Sequence, residues 1–442
     1  MSPRGRPGEE ARSTEHVGGP LTASPAELLP RAAAWVFASF AFAYFFSALL
    51  RAVTATLAPV FSAELGLGSA DLGLLAGAYF LGFALLQLPM GVALDRHGPK
   101  RVLLVLLSVA VVGCVAFALA QGFATLIVAR ILIGVGVSAC LMAPLTCFRH
   151  RFTDIAQLRA NSWMLMTGSL GMVASTLPVQ AVLPLLGWRG LFWAVAVALL
   201  LAMLALARWV PRDEPYRPAK HNRTDDGGGG YGQVFRHPMF VALLPLGFFV
   251  YGGVIAVQAL WAGPWLTLVA GYTAAQAAAG LFAINLSMLL SFLGWGLLMP
   301  RLQRHGWDAS RLIARGLPLS LLLLAVLLWR GAEAGAAWWA AWCVSCTVIT
   351  LSQPALAQAF APTLAGRALS AFNLVIFLGV FCIQWGIGLA VDWARTGGLA
   401  AAPALRLAFA LHGLCCVLAY GWFRWRTRQA ARLPATTADN LR

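Results

Sequence analysis

The chain has 442 residues, of which 60% are hydrophobic and only 11% charged, and its mean hydropathy is +0.77. Water-soluble chains are about 45–50% apolar and about 25% charged, so these proportions exclude a soluble globular protein. The 32 basic residues against 16 acidic ones leave a formal charge of +16; cationic loops on one face of a membrane account for that excess without any nucleic-acid partner.

Residues 1–30 are polar and rich in Pro, Gly, Arg and Glu, without the apolar core of a secretory leader, and read as a disordered cytoplasmic tail. Apolar runs then follow at 33–59, 71–94, 101–121, 124–147, 161–186 and 189–210, each long enough to span a bilayer as a helix. They make a first bundle over 31–210. The stretch 211–237, with Asp213, Glu214, Lys220, Asp225 and the glycines 227–230, has linker composition and is expected on the cytoplasmic side. Six more runs, at 239–268, 276–300, 311–330, 335–360, 367–391 and 402–423, make a second bundle over 238–424, and 425–442 is expected as a cytoplasmic tail. The predicted fold class is therefore an all-α integral membrane protein of twelve transmembrane helices in two six-helix bundles.

Orientation follows from the distribution of Lys and Arg. With the N-terminus inside, the interior loops hold Arg96, Lys100, Arg101, Arg149, Arg151, Arg159, Arg212, Arg217, Lys220, Arg223, Arg236, Arg301, Arg304, Arg311 and Arg367, whereas the exterior loops hold few, such as Arg189, Arg330, Arg395 and Arg406. Both termini are expected inside. The eight cysteines all lie in apolar runs and read as packing thiols; Cys343 and Cys346 form a C-x-x-C with no second pair nearby, so no metal site is expected.

The two halves resemble each other. Arg96-His97-Gly98 recurs as Arg304-His305-Gly306, and Arg159-Ala160-x-Ser162 as Arg367-Ala368-x-Ser370, both at an offset of 208. In the first helix of each half, Tyr44 pairs with Tyr251 and Arg51 with Gln258 at an offset of 207. Shared offsets in matching helices and loops point to a duplicated, pseudo-symmetric architecture.

Between helices two and three stands Gly91-Val-Ala-Leu-Asp95-Arg96-His97-Gly98-Pro99-Lys100-Arg101. A small residue such as Gly91 lets a neighbouring helix approach, Asp95 can face a helix N-terminus or an arginine, and the basic cluster anchors the loop at the membrane surface. The string resembles the loop motif of the major facilitator superfamily, in which the carboxylate latches the cytoplasmic ends of the two halves in one state and releases them in the other. The second-half copy has Pro300 where the carboxylate belongs, so an asymmetric latch through Asp95 is expected. Arg130 followed by Gly134 and Gly136 resembles the second motif of that superfamily; an arginine in an apolar run faces the bundle interior or snorkels to the interface. Helix five, with Gly168, Gly171 and Pro178, lacks the Gly-Pro pair of the drug/proton antiporter motif, which puts drug efflux in doubt.

Arg51, in Tyr44-Phe-Phe-Ser-Ala-Leu-Leu-Arg51-Ala-Val-Thr54-Ala-Thr56-Leu-Ala-Pro59, is similar to the helix-one arginine of the organic-anion and sugar-phosphate permeases of the same superfamily. It reads either as a substrate-binding cation or as an anchor at the outer interface. The substrate-binding candidates are Arg51, Tyr44, Gln258, Tyr251, Asn285 and Asn373; the gating candidates are Gly91, Asp95, Arg96, Gly98, Lys100, Arg101, Arg130 and Gly134. Helix interiors carry almost no carboxylates, leaving Asp71, His412 or a protonatable substrate to couple protons. No nucleophile-base set, phosphate-binding loop or metal cluster occurs, so neither an enzyme nor a cofactor is expected.

The resemblance implies a monomeric, gradient-driven carrier that moves a small solute by alternating access in a bacterial inner membrane, with a small organic anion as the expected solute and a proton or other ion as its coupling partner. The alternatives are an exporter of drugs or neutral solutes and, in a different class, a non-transporting membrane sensor on the same fold.

Overall fold

A bilayer core offers no water to backbone N–H and C=O groups, so a chain of this composition must satisfy them internally, and helices do so within one segment. The computed structural model describes residues 30–211 and 230–432, and these are helical without a strand. Residues 1–29 of the predicted tail and most of the linker fall outside the described residues.

In the first half, α1 is Pro30–Leu65 and α2 is built from Ser69–Leu85 and Gln87–His97, which meet at 47°. Next come α3, Pro99–Leu119, and α4, made of Phe123–Val137 and Met142–Arg151. α5 begins as Asp154–Ala174, turns at Ser175 and Thr176, and continues as 177–186 until Gly187, whose φ of 64° ends the helix; α6 is 188–209. In the second half α7 is Pro238–Val269, α8 Ala274–Arg304, α9 Ala309–Arg330, α10 Ala336–Gln358, α11 Pro362–Thr396 and α12 Ala401–Arg432. Ten described helices are long and apolar enough to cross a membrane, and the bent α2 is an eleventh. The opening segment of α5, with Asp154, Gln157, Arg159 and Asn161 in its first turns, is the polar member of the twelve.

Two boundaries differ from the sequence reading. α12 runs on to Arg432, through residues expected to be tail. Within the expected linker, Tyr231–Arg236 is a short helix; its Tyr231 hydroxyl donates to the Leu88 carbonyl of α2 at 3.2 Å, tying that segment to the first half.

Burial is unequal at the two ends. One apolar core fills the first half and continues into the arginine-poor end of the second, through residues such as Trp261, Trp265, Trp339, Ile387 and Phe409. The arginine-rich end of the second half has its own core around Phe240, Ile313, Leu356 and Phe372, and Leu88 is the one first-half residue among those described that packs against it. The halves are thus fused at the arginine-poor end and nearly separate at the other. Small residues make the fusion possible: a Cβ at Gly73 of α2 would overlap the Gln384 carbonyl of α11, and one at Gly388 of α11 would overlap the Ser69 carbonyl of α2.

Candidate functional site

Arg51 stands fourteen residues before the end of α1 at Leu65, roughly 21 Å along the axis. Its Nε is buried, and side chains from both halves stand around the guanidinium. The Tyr44 and Tyr79 hydroxyls face the guanidinium, and Tyr251, from the second half, is also within its electrostatic reach. Tyr79 donates its own proton to the Ser47 carbonyl at 3.2 Å, leaving its oxygen lone pairs toward Arg51. The guanidinium carbon lies 5.6 Å from the centre of the Phe83 ring, a cation–π distance. Arg51 Nε is buried without a hydrogen-bond partner, and no carboxylate among the described residues pairs with Arg51.

The aromatic surroundings cross from one half to the other. Phe83 of α2 packs on Phe377 of α11 with ring centres 4.5 Å apart, and Phe80 stacks on the same ring at 6.3 Å. Tyr44 fits because α5 offers Gly168, where a Cβ would overlap the Tyr44 ring. Tyr251 closes one π-helical turn of α7, Leu246–Tyr251, and Gln258 belongs to the next, Val257–Trp261. Such wide turns displace side chains from the helical register and recur at functional sites.

Of the six substrate-binding candidates, Tyr44, Arg51 and Tyr251 come together. Gln258 instead donates to Asn285 Oδ1 at 2.7 Å, and Asn285 donates to the Leu281 carbonyl at 2.9 Å, so this pair is satisfied inside the second half. Asn373 is likewise held, accepting from Gln353 at 2.7 Å. Tyr79, Phe83 and Phe377 were missed in the sequence because an aromatic in an apolar run carries no mark of which face it occupies.

The gating candidates divide as well. Arg130 is completely buried, which rules out snorkelling; it donates to the Leu50 carbonyl at 3.1 Å and to the Thr54 hydroxyl, and lies over Phe117 and Phe192. It therefore ties α4 to α1 within the first half. Gly134 allows α4 to meet α2, since a Cβ there would overlap the Tyr79 carbonyl. Gly98 has a φ of 76° and forms the turn between α2 and α3. Lys100 donates to the Ala207 and Val210 carbonyls at 2.8 and 2.5 Å, capping the end of α6. Asp95, Arg96 and Arg101 are exposed. Gly91 corrects the expectation of a close approach: no atom lies within 4 Å of the Cβ position, because the halves are apart at this end.

A carboxylate does join the halves, at the opposite end. Asp392 of α11 accepts from the Ser69 and Ala70 N–H groups at the start of α2, at 3.3 and 2.8 Å. Asp71 accepts from the Gly68 N–H at 3.1 Å and so acts as part of the same cap, while His412 lies against Gly253 and 3.5 Å from Cys416 Sγ.

Residues 40–383 match the model of the Major Facilitator Superfamily. The chain is 28% identical over 265 residues to the 3-(3-hydroxy-phenyl)propionate transporter of Escherichia coli K12, covering 57% of this chain and 59% of that one. It is 29% identical over 185 residues to the 4-hydroxybenzoate transporter PcaK of Pseudomonas putida, covering 41% and 40%. The chain thus spans about half the length of the curated relatives it matches. Its fold is that of a solved bacterial homologue of the human lysosomal transporter Spinster in an inward-facing, unoccupied conformation, with a TM-score of 0.75 at 17% identity over 91% of this chain and 98% of the other. Taken with the two helical bundles and the loop motif around Asp95, the family match establishes that this chain belongs to the major facilitator superfamily.

Proposed function

We propose that the chain is a secondary active transporter that carries a small organic anion with an aromatic ring, by exposing a site around Arg51 alternately at the two ends of the molecule. The observation that carries this reading is the guanidinium itself: its Nε is buried, it has no carboxylate partner among the described residues, and it is ringed by Tyr44, Tyr79, Phe83 and Tyr251 from both halves. An arginine so placed binds a carboxylate in a planar, directed manner, and the tyrosines and Phe83 give an aromatic ring edge and face contacts. Two of the similar proteins are named as transporters of hydroxylated aromatic acids, which supports the same solute class.

In this reading the arginine-rich end is cytoplasmic, with both termini inside, and the chain works as a monomer in a bacterial inner membrane. Asp71 is engaged in capping and His412 is packed against Gly253, so a protonatable substrate is the favoured coupling species. Gln258, Asn285 and Asn373 shape the second-half wall without contacting the anion, and Asp95, Arg96 and Arg101 engage only when the arginine-rich end closes. Uptake of labelled 3-hydroxyphenylpropionate and 4-hydroxybenzoate into proteoliposomes, with and without an imposed pH gradient, tests the proposal. Accumulation of either acid that the corresponding uncharged amide does not show supports it; uptake of the amide alone would point to a neutral-solute carrier.

A further inference from the structure

Away from the Arg51 site, the bend of 47° at Leu86 swings the second segment of α2 off α3 and leaves a groove of about 310 Å³ between them, within the volume range of pockets that hold small ligands. Its walls are apolar, from Leu86, Pro89 and Ala93 on α2 and Val105 and Leu106 on α3, and its mouth at the arginine-rich end carries His97 and Arg101. Leu85, Val92 and Val105 are exposed beside it, as expected of a flank turned to lipid. From Leu86 to His97 the helix rises roughly 16 Å, about the thickness of one leaflet's hydrocarbon layer. No carboxylate among the described residues lines the groove, so the charge at its mouth is that of Arg101 beside His97.

We propose that this groove binds one anionic phospholipid, its acyl chain along α2 and α3 and its phosphate at Arg101 and His97. The walls offer no polar group to orient a polar solute, so the affinity must come from a chain of leaflet length, whereas the basic mouth selects the charge of the headgroup. A lipid wedged there would hold the second segment of α2 away from α3 and so couple membrane composition to the loop that contains Asp95. The proposal is independent of what Arg51 binds.

The test uses the full chain reconstituted in phosphatidylcholine vesicles containing a trace of phosphatidylglycerol with a photoactivatable acyl chain, or the same probe with a phosphatidylcholine headgroup. Photolabelling by the phosphatidylglycerol probe is expected to concentrate on residues 86–106 and to exceed that by the phosphatidylcholine probe. Arg101→Gln should lower the preference for phosphatidylglycerol by about fivefold, and Ala93→Trp, which fills the groove, should abolish labelling there by both probes while the chain stays monodisperse. Equal labelling by the two probes, or labelling indifferent to Ala93→Trp, would reduce the groove to ordinary boundary lipid. Displacement of the phosphatidylglycerol probe by inorganic phosphate would show an anion site and overturn the lipid assignment.

Discussion

Asp392 and Ala70 belong to different halves of the molecule, yet the carboxylate of one accepts the backbone N–H of the other at 2.8 Å and caps the first turn of α2. A carboxylate at a helix N-terminus satisfies donors that the helix leaves free and meets the positive end of its dipole. Here the cap also locks the arginine-poor end, because α2 and α11 cannot part without breaking it.

Asp392→Asn should therefore loosen that end. A cap of this kind contributes about 1 kcal/mol, or about fivefold in the ratio of closed to open molecules. Gln180 lines a small void at this end together with Thr56, Gly263 and Thr267. In a chain with Cys382→Ser, a cysteine introduced by Gln180→Cys should react about fivefold faster with a membrane-impermeant maleimide once Asp392→Asn is added. Equal rates would mean that backbone packing alone holds the end closed.

Asp95 is the complementary case. It is exposed and takes no part in a hydrogen bond or ion pair among the described residues, so Asp95→Asn should leave the melting temperature of this conformation unchanged and lower turnover by weakening the opposite, closed arrangement. Parallel thermal-shift and transport assays check both halves of that statement; a fall in melting temperature would place Asp95 in the architecture of the present state.

The twelve-helix plan was legible because apolar runs of spanning length are a direct imprint of the bilayer on sequence. What the sequence could not reveal was contact across the halves. Asp392 lies near the end of an apolar run, and nothing local announces that α11 will bring it to the start of α2. Gln258 appeared as the symmetry partner of Arg51, but its amide is consumed by Asn285. Tyr44 and Tyr251 stood out because a charged neighbour and the repeat singled them out, whereas Tyr79 and Phe83, also beside Arg51, sit in an apolar string where packing is the default use.

Gly134 and Gly168 separate architecture from site. Gly134→Ala pushes a methyl group into the Tyr79 carbonyl of α2 and should cost about 1–3 kcal/mol of stability, as overpacking does. A lowered melting temperature in detergent reports it. Gly168→Ala meets the Tyr44 ring instead of backbone, and a side chain can yield. Its melting temperature should fall less than that of Gly134→Ala, while affinity for an aromatic acid drops because Tyr44 is displaced from Arg51. An affinity unchanged by Gly168→Ala would remove Tyr44 from the binding site.

The most direct measurement compares the affinity of the purified chain for an aromatic carboxylate with that for its uncharged amide, before and after Arg51→Gln. Losing a buried charged partner costs about 2–5 kcal/mol, so Arg51→Gln should weaken the carboxylate by at least about 30-fold and leave the amide within about twofold, collapsing the preference between them. If the carboxylate binds Arg51→Gln as tightly as the parent, Arg51 does not read the negative charge, and the organic-anion account is wrong.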